Sequence, residues 1–134
     1  MGQPAAKMGD KIVAVDTHIF MLPPPGPGSP IPTPLPSPFN GLIADGCSNN
    51  VMIEGKPAAV VGSKAKNVPP HPPQGGPLQK PATNEGEIII GSLTVKINGK
   101  AAARMGDTCQ TCNDPSPLPV GKVVVAGAPK VLIG

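Results

Sequence analysis

The chain has 134 residues, room for one domain, and its formal net charge of +3 comes from scattered Lys and Arg with no aromatics between them, which leaves no footprint for nucleic-acid binding. Trp and Tyr are absent and Phe occurs twice, so any core is built from Val, Ile, Leu and Ala, and a domain of that kind calls for a staple such as a metal. Three Cys, an odd count, argue against a disulfide scaffold, and the 14% of charged residues do not oppose compaction.

Met1-Gly2-Gln3-Pro4 opens with no apolar segment behind it, so no secretory signal is expected. Ala6 stands where a myristoylation pattern wants Ser or Thr, and no apolar run reaches membrane-spanning length. Synthesis and assembly in the cytosol are expected. A phrase then begins that recurs: Pro4-Ala5-Ala6-Lys7-Met8-Gly9-Asp10 returns as Pro57-Ala58-Ala59-Val60-Val61-Gly62-Ser63 and as Ala101-Ala102-Ala103-Arg104-Met105-Gly106-Asp107. A second phrase also comes three times, as Val51-Met52-Ile53-Glu54-Gly55, Val95-Lys96-Ile97-Asn98-Gly99 and Val131-Leu132-Ile133-Gly134. The first copy lacks its leading strand and the chain ends on an unpartnered one. Joining residues 131–134 to residues 2–10 completes a third unit, so the termini are expected to meet in a closed, three-lobed body. Three similar lobes suit a three-fold partner.

Short strands are predicted at Lys11–Val15, Val51–Ile53, Ala58–Val61, Glu87–Ile90, Thr94–Ile97, Lys122–Ala126 and Lys130–Ile133, where branched residues alternate on one face. Prolines interrupt the chain too often for helices. The fold class is therefore all-β, a small cone of short hairpins with a pseudo-three-fold repeat. Gly55-Lys56 and Asn98-Gly99 sit at hairpin-turn positions. Gly9-Asp10 and Gly106-Asp107 read as turns in which Gly takes the strained φ and Asp bonds its own downstream backbone, with Ser63 doing so more weakly.

Leu22–Asn40 carries nine prolines within residues 23–38 and no alternation of polar and apolar residues. It reads as a polyproline II loop, an insertion at about 22–40 strapped over the body. The competing reading is a Pro-x-x-Pro ligand for an aromatic groove.

Cys109-Gln110-Thr111-Cys112 is the strongest chemical motif. Two thiols at this spacing can face one cation. A redox site would need a helix next, and Asn113-Asp114-Pro115, Pro117 and Pro119 oppose one. The only histidines, His18 and His71, follow the first and second repeated turns as the two Cys follow the third. His18, His71, Cys109 and Cys112 thus form a candidate Cys₂His₂ shell for one structural Zn²⁺ near the apex, against a metal-free body or an incidental Cys pair. Cys47 lies out of register and reads as a small buried residue. A shell closed by four protein ligands leaves no open position, and no paired carboxylates, Ser-His-Asp order or phosphate loop is present, so no enzyme is expected.

The repeated phrases, with Asn98-Gly99-Lys100-Ala101-Ala102-Ala103-Arg104-Met105-Gly106-Asp107 the fullest copy, resemble the PAAR (Pro-Ala-Ala-Arg) repeat family over the whole chain. Lys7, Val60 and Ala101 depart from the name-giving motif, and Ser37 stands where related sequences often have a His. The resemblance implies a sharp β-cone that caps the homotrimeric β-helical spike of a contractile injection machine, a type VI secretion system or a phage-tail-like particle. It implies a metal held mostly by His with a Cys, with Cys109 standing in for the missing His. It also implies one tip per trimer, docking through base strands near Val131 and Ile133, with effector cargo and transient contact with a target-cell membrane. The protein would be delivered outside the cell as part of the particle. A single PAAR-type domain is expected over 1–134, with no toxin domain attached.

Overall fold

The computed structural model describes residues 2–114, 116–125 and 130–134. In chain order its strands are β1 (Gln3–Pro4), β2 (Lys11–Leu22), β3 (Ile31–Asp45), β4 (Met52–Ile53), β5 (Lys56–Pro57) and β6 (Lys64–Asn67). They continue as β7 (Glu85–Ile88), β8 (Lys96–Ile97), β9 (Lys100–Ala101), β10 (Thr108–Thr111), β11 (Leu118–Val124) and β12 (Leu132–Ile133). No helix occurs among the described residues, and the fold is all-β. The last residue of the strand predicted at Lys122–Ala126 lies outside the described residues.

The repeated phrase builds a three-fold axis from backbone. Ala6 N–H donates to Ala103 O, Ala103 N–H to Ala59 O and Ala59 N–H to Ala6 O, each at 3.0 Å. All three side chains are fully buried, so only a methyl fits where the segments converge. At the next turn Gly9, Gly62 and Gly106 take φ of 94°, 100° and 88°, which favours Gly. The residue after each Gly bonds upstream rather than downstream as expected. Asp10 Oδ2 accepts from Lys7 N at 3.0 Å, Ser63 Oγ from Val60 N at 2.9 Å and Asp107 Oδ2 from Arg104 N at 2.6 Å. The turn folds the side chain back over the Ala segment, where an orphan N–H needs a partner.

Below this ring lie the hairpins. β4 pairs with β5 and β8 with β9, and the turn residues Glu54-Gly55 and Asn98-Gly99 all have positive φ, as a type I′ turn demands. The first turn is therefore Glu54-Gly55, with Lys56 already in β5. The third unit is split across the termini, with Gln3 opposite Ile133 and Pro4 opposite Leu132, so the ends do meet. Ile53, Ile97 and Ile133 fill equivalent places in one apolar cluster with Ala5, Ala58, Val60 and Ala102.

Above the ring six strands close into a barrel in the order β10-β11-β2-β3-β6-β7. Ile43, Ile88 and Val123 join it to the three glycine turns, accepting from Gly9, Gly62 and Gly106 N–H at 2.9, 2.8 and 2.9 Å. Alternation along β2 sends Ile12, Asp16, His18 and Phe20 inward, and all four are buried.

The proline-rich segment departs from expectation. Residues 31–45 are not a strap but β3, paired with β2 without a break from Ile31↔Leu22 to Leu42↔Lys11. The connecting loop is only residues 23–30. Pro32, Pro34, Pro36 and Pro38 recur with period two, and backbone groups of alternate residues point to the same side of a strand. Their side faces away from β2: Asn40, next in this series, donates to Asn67 Oδ1 at 2.8 Å, and Pro36 O accepts from Gln74 Nε2 at 2.9 Å. The missing N–H groups therefore cost the ladder nothing, because Pro is tolerated on an edge.

Candidate metal centre

Four buried side chains converge at the barrel end remote from the hairpins. Asp16, His18, His71 and Cys112 each offer one ligand atom, all within 4.8 Å of one another. Asp16 and His18 lie two apart on β2 and share its inner face. His71 arrives on the segment after β6 and Cys112 just past β10. The Cys112 segment is tied to β2: Thr17 N–H donates to Asn113 Oδ1 at 2.7 Å and Asp114 N–H to Thr17 O at 2.8 Å.

Each ligand is oriented from behind. His18 Nδ1 lies 3.0 Å from Asp114 Oδ2, which turns Nε2 toward Cys112 Sγ at 3.6 Å. His71 Nδ1 meets Asn67 Nδ2 at 3.2 Å and its backbone N–H donates to Asn84 Oδ1 at 2.9 Å, leaving Nε2 3.1 Å from Asp16 Oδ2. Asp16 Oδ1 accepts from the Thr111 hydroxyl, and its Oδ2 from the Cys112 thiol at 3.4 Å. Two imidazoles, a thiol and a carboxylate, each with an outer hydrogen bond, form a donor set that suits Zn²⁺ in a shell closed by protein. The residues present fit a metal, and what it would supply is cross-linking of β2 to two loops.

Of the four ligands expected from sequence, His18, His71 and Cys112 are brought together, and Cys109 is not among them. Cys109 and Thr111 both point inward from β10, so Thr111 reaches the level of Asp16 while Cys109 stays deeper. Three residues along a strand separate the thiols by roughly 10 Å, whereas two thiols on one cation need a turn between them. Cys109 packs in the core with Ile12 and Val123, its thiol 3.7 Å from Asp107 O. Asp16 lies near the candidate ligands in sequence but is not counted among them there, because a strand's period-two Asp-x-His is a quieter signal than Cys-x-x-Cys. Ser37, where a His is often expected, lies directly across the ladder from Asp16. Cys47 is half-buried against the main core.

Burial first, and then the Asp16 charge, pushes the Cys112 thiol up to about 12; burial and Asp107 do the same to Cys109. Burial lowers His71, opposed by its hydrogen bond to Asp16. Raised thiols bind protons more tightly in the folded state. Their stabilising contribution is therefore complete below the unfolded value near 9 and is lost as pH rises toward 12. Metal-free protein should lose stability steeply between pH 9 and 12 in thermal melts. Zinc-loaded protein should lose less, since Cys112 is then already a thiolate.

The all-β body thus carries a three-fold backbone ring at one level and, at another, a buried cluster of side chains that could hold a metal. The family comparison agrees: residues 78–134 match the model of the PAAR motif, the repeat of spike-tip proteins of contractile injection and type VI secretion systems. Over residues 78–134 the chain is thus similar to the PAAR-motif family. The matched span holds the Ala101–Asp107 phrase, while the equivalent bonds at Ala6 and Ala59 extend the same geometry outside it. No curated protein matches the chain.

Proposed function

We propose that the chain is a non-enzymatic tip that seats, one copy per trimer, on the homotrimeric β-helical spike of a contractile injection machine and sharpens it for membrane puncture. The observation that carries the reading is the cyclic bonding of Ala6, Ala59 and Ala103, which lets one chain present nearly the same backbone three times. Docking is assigned to the hairpin end, where the sheet ends in two-residue hairpins and Met52, Leu93 and Leu132 are exposed. Val131 and Ile133 lie in the lobe that the two termini complete. The opposite end holds one structural Zn²⁺ through Asp16, His18, His71 and Cys112, which replaces the apolar core that a narrowing body lacks. The protein assembles in the cytosol and leaves the cell at the head of the particle, alone or with effector cargo.

The experiment is co-purification with a trimeric β-helical spike protein. Met52→Ser combined with Leu132→Ser removes exposed apolar surface only and should weaken binding at least tenfold with an unchanged melting temperature. Normal binding by that variant moves the docking face elsewhere. Shortening residues 23–30 should leave spike binding within about twofold, because that loop adds no strand to the hairpin end; loss of binding in a folded deletion variant reverses the assignment of ends.

A further inference from the structure

We infer that the distal β2–β3 hairpin, residues 17–40, is a lipid-contacting wedge that enters the headgroup–acyl boundary of a neutral bilayer. The inference deepens the reading above, which supplies the encounter with a membrane but not the affinity for one. Residues 17–44 contain no Asp, Glu, Lys or Arg, although the chain has 19 such residues elsewhere. The single titratable group in the hairpin, His18, is fully buried. Charges are what make a segment costly to move toward hydrocarbon, and this segment has none.

Backbone polarity is the other obstacle, since an unpaired N–H away from water is costly. β2 and β3 satisfy each other along the whole hairpin. On the outer edge of β2, Thr17 N–H reaches Asn113, Met21 N–H reaches Pro77 O at 2.8 Å, and Ile19 O accepts from Gln79 N–H at 2.8 Å. The outer edge of β3 has no β6 beside it before Gly41, and there the four outward-facing residues are Pro32, Pro34, Pro36 and Pro38. Proline has no N–H to leave unpaired. The edge therefore presents no donors from these four residues; Pro36 O is met by Gln74 Nε2 at 2.9 Å, and interfacial water can satisfy the other carbonyls. Its outer surface is apolar, with those four prolines and Ile31 exposed. Lacking basic residues, the hairpin has no charge-driven preference for anionic lipid. Prolines spaced by two on a paired strand do not form the three-residue helix that aromatic grooves read, so a protein groove is the weaker occupant.

The chain lacks Trp and Tyr, so a single introduced Trp reports alone. Ile31→Trp marks the wedge and Leu93→Trp, at the hairpin end, is the control. Zinc-loaded full-length variants are titrated with phosphatidylcholine vesicles. Ile31→Trp emission should move to the blue and lose access to an aqueous quencher, and Leu93→Trp should do neither. Adding Pro34→Val, which restores one edge donor without adding charge, should weaken partition roughly tenfold. Adding Pro27→Asp with Ser29→Asp, both in the exposed loop, should abolish it. A silent Ile31→Trp reporter, or equal shifts at both positions, overturns the inference. So does a reporter that responds to an isolated SH3 domain but not to vesicles. Self-association of the Pro34→Val chain with no vesicle response to Ile31→Trp also overturns it, leaving the prolines as guards against pairing of copies. Capping measured on the same samples separates the two readings: capping with a silent reporter sinks this inference alone, and a shift without capping sinks the spike assignment alone.

Discussion

His18→Ala and Cys112→Ser are expected to lose stoichiometric zinc, while Cys109→Ala keeps it. Each of the first two removes one of four convergent candidate ligands. His18→Ala also leaves buried Asp114 Oδ2 without the ring nitrogen it meets at 3.0 Å, whereas a serine hydroxyl at 112 can still donate to Asp16. An orphaned buried polar group costs about 1–3 kcal/mol even before metal is considered. Lost zinc adds the binding free energy that had favoured the folded state. Cys109→Ala deletes a core sulfur remote from the cluster, at a cost of about 1 kcal/mol for a methyl-sized void. Asp114→Asn touches only the back of His18 and should weaken zinc affinity by roughly 10–100-fold while leaving all four ligands in place. Elemental analysis with competitive chelation reads these outcomes. Zinc lost with Cys109→Ala and retained with Asp16→Asn would return the fourth ligand to Cys109.

Truncation of residues 131–134 should have the largest effect on fold and docking together. It removes β12, so Gln3 and Pro4 lose their partners, and Ala5 N–H loses Val131 O, which it meets at 2.9 Å. Gly134 O accepts from Arg104 Nη1 at 3.2 Å and from the Ser92 hydroxyl, and these bonds also go. Burial of Ile133 is worth about 1.5–3 kcal/mol, and each hydrogen bond adds about 1 kcal/mol. Together these lower the melting temperature by roughly 10 °C or more in a domain of this size. One lobe of three then lacks its strand, so spike binding should fall with it. A truncated chain that melts and binds normally would show that the terminal lobe carries neither stability nor contact.

The repeat was the most legible part of the fold because each copy solves the same local problem. Gly at a positive φ, an acceptor one residue later and an Ala small enough for the axis must recur wherever the segment recurs. Closure of the termini followed from the missing strand of the first copy. β3 was not legible, because the rule that Pro opposes strands holds for a strand paired on both sides, and residues 31–38 are paired on one. β6 and β10 were missed as four-residue strands, too short to display alternation above background. At the candidate metal centre the two histidines are singled out by their place after the turns. Cys109 drew attention through a motif whose usual geometry is a turn, and the barrel imposes a strand there instead. Asp16 was legible only to a reader who already knew that β2 continues past Val15 to Leu22, which makes Asp16 and His18 neighbours on one face.

The central claim is that one metal-stapled chain matches a three-fold partner. Native mass spectrometry of the purified assembly with its spike protein tests it most directly. The account predicts a single species containing one copy of this chain, one zinc and three spike subunits, from which a chelator removes the zinc. Three copies of the chain per trimer, or a one-to-three complex that never carries zinc, would contradict it.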